Sequence, residues 1–134
     1  MAIITAVDNE QFSLWFHEES RIVHHQFHGF VYGEAFRSCL LEGVTLLRKY
    51  GANKWLSDDR ANSAISKEDF EWSTTEWRRE AMNAGWRYWA VVLPEKVVGQ
   101  MSLQKIFKQY EKDSPVVAKL FTDPEPAMAW LVSQ

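Results

Sequence analysis

Ser57-Asp58-Asp59-Arg60 is the run of this chain whose residue types could do chemistry: a hydroxyl, two adjacent carboxylates and a guanidinium within four residues. Such groups make charge-assisted hydrogen bonds of fixed geometry, so the run is a candidate for gripping a ligand or a protein partner. The same residues could instead satisfy one another, with Asp58 or Asp59 pairing Arg60 and capping nearby backbone. An acid/base pair fits less well, because catalysis needs the two pKa values pushed apart in a pocket. Trp72 joins the candidates for a different reason. It stands two residues after Phe70, roughly 200° around a helix at 100° per residue, which turns it away from the apolar stripe and makes it an expected partner surface.

The other reactive residue types lack the spacing that chemistry requires. His24 and His28 on one strand lie about 13 Å apart at about 3.3 Å per residue, and His24 and His25 point to opposite faces, so no metal site is expected. His17 could meet another histidine only across strands. His25, on the apolar parity, reads as a hydrogen-bonded core residue. Cys39 falls on an apolar helical stripe and reads as packing, and no Gly-x-Ser-x-Gly elbow is present. Gly29-Phe30-Val31-Tyr32-Gly33 does not match a phosphate-binding glycine pattern. No catalytic residue, cofactor or enzymatic activity is expected.

Composition sets the frame around these residues. A chain of 134 residues with 46% hydrophobic and 25% charged side chains has the make-up of one compact domain, here residues 1–134. The net charge of -3 gives no field that would draw a phosphate backbone, so nucleic acid is not expected as a partner. A single cysteine excludes an internal disulfide and fits a reducing compartment. Met1 to Val7 carries no basic region and no long apolar run, so neither a signal peptide nor a membrane span is expected, and the cytoplasm is the expected location.

The elements that must position the candidate residues follow from periodicity. Phe12, Leu14 and Phe16 alternate, as do Val23, His25 and Phe27, and the polar turn Glu18 to Arg21 joins them into an antiparallel hairpin. That hairpin places Phe16 opposite Val23 and Phe12 opposite Phe27, with Trp15, His17 and His24 on a face that is only partly covered. A helical stripe of Phe36, Cys39, Leu40, Gly43, Val44 and Leu47 then runs to a stop at Gly51. Lys54 to Asp58 forms a strand that ends in the candidate run. Ser66 caps a second helix with the stripe Phe70, Trp77, Ala81 and Ala84, closed by Gly85. Trp86 to Pro94 reads as a strand buried on both faces. A third helix carries Leu103, Ile106, Phe107 and Tyr110, Val116 to Phe121 is the last strand, and Asp123-Pro124 opens a fourth helix. The result is an α/β domain in which an N-terminal antiparallel hairpin precedes alternating strands and helices with mostly parallel pairing and about four helices. In such sheets, sites gather outside the carboxyl ends of the strands, which is where Ser57 to Arg60 lies.

This order of elements, the strand Lys54-Trp55-Leu56-Ser57-Asp58 and the closing Pro124-Glu125-Pro126-Ala127-Met128-Ala129-Trp130-Leu131 resemble the STAS-like domains, relatives of bacterial anti-sigma-factor antagonists. In that family the loop after the central strand commonly carries an Asp-Ser pair whose serine is phosphorylated. Asp58 matches the aspartate, but Asp59 and Arg60 follow it, so the chain departs from the phosphoacceptor motif. The resemblance implies a non-catalytic regulatory module, in which Ser57, Asp58, Asp59, Arg60 and Trp72 dock a protein partner or a second copy of the chain. An alternative is a domain for a small apolar molecule or lipid, as in CRAL-TRIO carriers of related α/β architecture, with its pocket between the second helix and the sheet.

Overall fold

The computed structural model describes residues 2–134. Six strands form one mixed sheet in sequential order: β1 (Ile3–Asp8), β2 (Phe12–His17), β3 (Ile22–Phe27), β4 (Lys54–Asp58), β5 (Tyr88–Val92) and β6 (Val117–Phe121). The first three pair antiparallel and the remainder pair parallel. Phe12 lies opposite Phe27 and Phe16 opposite Val23, the register that the two alternating runs and their four-residue turn require. The predicted strand from Trp86 to Pro94 is trimmed to Tyr88–Val92, because Arg87 and Tyr88 both donate to the Asn53 carbonyl at its start.

Three helices make the parallel crossovers: α1 (Gly33–Tyr50), α2 over residues 67–83 and α3 (Val97–Asp113). All three pack on one sheet face, where Phe36, Leu47, Trp77, Leu103 and Tyr110 meet Phe16, Val23, Trp55 and Trp89 in the main core. Helix α4 (Pro124–Val132) covers the opposite face, where Ala127 and Leu131 meet Ile22, Leu56, Ala90 and Val92. It packs mainly on β4, β5 and β6, and Trp15, His17 and His24 on the hairpin stay half-buried.

Of the caps expected from sequence, Gly51 and Ser66 act as such and Asp123 does not. Gly51 terminates α1 in the left-handed conformation (φ 59°), and the Ser66 hydroxyl accepts from the Asp69 amide (3.2 Å) at the start of α2. Asp123, expected to cap α4, takes no capping hydrogen bond. Prolines stand at positions 124 and 126, so the third helical residue, a usual donor to the cap, has no N–H to give.

Candidate functional site

The pleat of β4 divides the predicted cluster between two sheet faces. Asp58 follows Leu56 onto the α4 face, where Arg60 grips its carboxylate with two hydrogen bonds (2.9 and 2.8 Å). Both Asp58 oxygens are thus engaged, and desolvation of the pair is offset by a bidentate geometry that suits guanidinium. The Asp58 hydrogen bond raises the pKa of Arg60 further. Ser57 and Asp59 turn to the opposite face, beneath α2 and α3.

On that face the aromatic core carries a polar network. His25 on β3 stands in register with Ser57, and two residues further along the chain Asp59 places Oδ1 2.9 Å from His25 Nε2. Trp55 Nε1–H donates to His25 Nδ1 (2.9 Å). That contact fixes the tautomer: Nδ1 accepts from an indole that can only donate, so the ring proton sits on Nε2 and is donated to Asp59. Trp89 Nε1–H likewise donates to Ser57 Oγ (2.8 Å). His25, Ser57 and Asp59 are each less than 5% exposed.

Two features of the helices hold this network in place. Gly43 in α1 lets the Trp55 ring lie against helix backbone, since a Cβ there would come within 2.6 and 2.8 Å of Cζ2 and Cζ3. In α2 the α-helical turns Lys67–Trp72 and Arg78–Asn83 are joined by a π-helical segment, Ser73–Trp77. Such a widened turn disturbs the backbone ladder and is frequent at functional sites. Ser73 and Thr74 hydroxyls donate to the Phe70 carbonyl, the Thr75 hydroxyl to that of Glu71, and Tyr110 donates its hydroxyl to the Ser73 carbonyl (3.0 Å). Burial pushes the Tyr110 phenol up, which keeps it a donor.

Between the network and the π-helical turn lies a cavity of about 40 Å³, lined by His25, Ser57 and Asp59 from the sheet, Ser73 and Trp77 from α2, and Leu103, Ile106 and Tyr110 from α3. A water needs roughly 10–15 Å³ of such space, so the cavity has room for about three waters or one small head group. Asp59 uses only one carboxylate oxygen in hydrogen bonds among the described residues, and Ser57 accepts one bond without passing on its own proton.

The predicted site residues therefore do not form one patch. Ser57 and Asp59 line the cavity, and Asp58 and Arg60 close on each other on the far face. Trp72 lies at the edge of the main core under the Arg37 guanidinium (5.1 Å to the ring centroid), half-buried. Arg37 also reaches Asp69 Oδ1 (3.3 Å), whose second oxygen accepts from the Gly33 amide. Reading from sequence missed the His25–Asp59 pairing and the π-helical turn. The available signals were the shared parity of His25, Trp55 and Ser57 and the hydroxyl run Ser73-Thr74-Thr75 inside a predicted helix.

The remaining histidines sit elsewhere. His17 Nε2 lies 3.0 Å from His24 Nδ1 across the hairpin, and His28 Nε2 lies 2.8 Å from Ser13 Oγ, which also contacts Asp8. Burial, then the neighbouring His17 and His25, pushes His24 down to about 3. No group of three or more metal-ligating side chains converges among the described residues, and none of their helices is long and apolar enough to cross a membrane. Cys39 is fully buried and its thiol is pushed well up by burial. The chain matched no family model, no curated protein and no solved structure.

Proposed function

We propose that the chain is a non-catalytic, small-molecule-binding domain, with its site between α2, α3 and the sheet strands β3, β4 and β5. One observation carries this reading: a buried imidazole–carboxylate pair borders a cavity in an otherwise apolar, aromatic core. The second Asp59 oxygen takes no hydrogen bond among the described residues and keeps accessible surface, so it is free to accept from an occupant of the cavity. Binding sites commonly combine apolar walls with a few convergent polar groups. Catalysis has no part in the reading, since His25 is held at both ring nitrogens and Ser57 lies beside a donor rather than a base. Divergent STAS-like ancestry and cytoplasmic residence belong to the same proposal, supported by the order of elements and by the lone buried cysteine.

The experiment is a fragment screen read by the indole N–H resonances of Trp55 and Trp89, with host-isolated protein weighed in its native state. A ligand that moves both resonances saturably at one-to-one stoichiometry is the expected result. Failure of a chemically broad set to move either, together with host protein of bare mass, would sink the reading.

A second reading, docking of a protein partner or a second copy, is favoured by apolar side chains on the rim of the same sheet edge. Phe30 and Tyr32 stack on each other while half or more exposed, and Val97, Val98 and Met101 are exposed at the start of α3. Dilution through the micromolar range should dissociate a self-associated form if this rim is its interface. A mass independent of concentration in both the native chain and a Phe30→Ser, Val98→Ser variant would remove self-association.

A further inference from the structure

The donors and acceptors of the cavity specify the charge of its occupant, and this step rests on the ligand-binding reading above. Trp55 commits His25 Nδ1 as an acceptor, so the imidazole is neutral and its single proton is already given to Asp59 Oδ1. The histidine neighbour of Asp59 therefore supplies a hydrogen bond but no positive charge. The Asp59 side chain is 6% exposed. Arg60, the nearest cation in sequence, is spent on Asp58 across the sheet. An anion entering the cavity would meet a like charge in a poorly hydrated space, and a purely apolar group would leave the second carboxylate oxygen without a donor.

We infer that the occupant presents a small cationic donor of the ammonium class to Asp59. The remaining groups agree with that chemistry. Ser57 Oγ accepts from Trp89 and retains a second lone pair for another N–H. Trp77, Trp89 and Tyr110 contribute aromatic walls, and π surfaces attract cations. The volume near 40 Å³ admits a methylammonium-sized head and little more, so the rest of any larger ligand would have to lie toward the rim.

The test titrates methylammonium chloride, methanol and sodium acetate at matched ionic strength, following the Trp55 and Trp89 indole N–H resonances in the wild type and in Asp59→Asn. The Asn variant keeps an acceptor for His25 and removes the charge. Saturable shifts with methylammonium alone, weakened at least tenfold in Asp59→Asn, are expected. Equal binding of methanol or acetate, or unchanged methylammonium affinity in the variant, would overturn the cationic class while leaving a ligand site in place. Silence of both indoles toward all three probes, with no fragment binding either, would overturn the site itself. Should Asp59→Asn not fold, Leu103→Phe fills the cavity from α3, and undiminished methylammonium binding there would refute the placement.

Discussion

Two doublets, His24-His25 and Asp58-Asp59, are each split by the pleat of a strand, and the two faces treat like residues differently. On the α4 face Asp58 is closed by a bidentate arginine, and His24 lies at the uncovered end of the sheet with Nε2 buried and unpartnered. On the aromatic face Asp59 has one hydrogen bond and His25 has two, beside a cavity. The comparison teaches where a charge has been made structural. A carboxylate with both oxygens engaged by a guanidinium completes a fold. One that keeps an oxygen beside a cavity leaves capacity for something else.

The largest expected effect comes from removing the arginine. Arg60→Met removes the partner of a buried carboxylate, and because the arginine side chain is itself 37% exposed and water can replace part of its contact, the loss is about 2–3 kcal/mol. Urea denaturation should show that loss, and the double change Asp58→Asn, Arg60→Met should recover most of it. A loss below about 0.5 kcal/mol, the range of ordinary surface substitutions, would show that Asp58 is hydrated and would erase the contrast between the two aspartates.

Next in size is Tyr110→Phe, which leaves the Ser73 carbonyl without its buried donor at a cost of about 1–3 kcal/mol. Unfolding midpoints report the loss, and the Trp77 indole resonance should shift as the π-helical turn relaxes. Asp59→Asn should cost less than about 1 kcal/mol because His25 keeps its acceptor, whereas Asp59→Ala should approach the Tyr110→Phe loss. Equal costs for Asn and Ala would mean that charge, not the hydrogen bond, sets the stability of the aromatic face.

Much of this division was legible in the sequence because strands alternate strictly. The parity of Phe12, Leu14 and Phe16 against Val23, His25 and Phe27 determines the hairpin register, and the same period sends Asp58 and Asp59 apart. The pairing of His25 with Asp59 was not legible, since it depends on the alignment of two parallel strands joined by an 18-residue helix. Parallel register is set by packing of the crossover helix, here by Gly43 against Trp55, and no local motif announces it. The π-helical turn escaped for a related reason. A single widened turn changes the phase of Trp72 relative to Trp77, and constant steps of 100° cannot represent it.

The histidine doublet supplies a pH-dependent form of the comparison. With the folded value of His24 near 3 and an unfolded value near 6.5, the unfolded chain takes up the proton first as pH falls. Stability from this group is complete above about pH 6.5 and declines toward pH 3 at about 1.4 kcal/mol per pH unit. Burial is the main cause, His17, His25 and Arg60 act in the same direction, and Asp58 opposes them. Urea midpoints at pH 7, 6 and 5 should therefore fall less steeply for His24→Gln than for the wild type. Parallel curves would assign the acid sensitivity to other groups.

The smallest expected effect lies at Trp72, outside both doublets. Arg37 rests on its ring and reaches Asp69, but the guanidinium side chain is 40% exposed, so the stack is worth about 0.5–1 kcal/mol. Arg37→Gln should lower stability by no more than that, because Asp69 retains the Gly33 amide and the Ser66 cap remains. The uncovered indole should become more accessible to acrylamide quenching. If Trp72 serves the rim as a partner surface, the same variant should strengthen association by exposing the ring, while leaving the Trp55 and Trp89 indole resonances unmoved. Shifts at those two indoles would instead connect Trp72 to the cavity through α2, and the partner surface and the ligand site would then have to be treated as one.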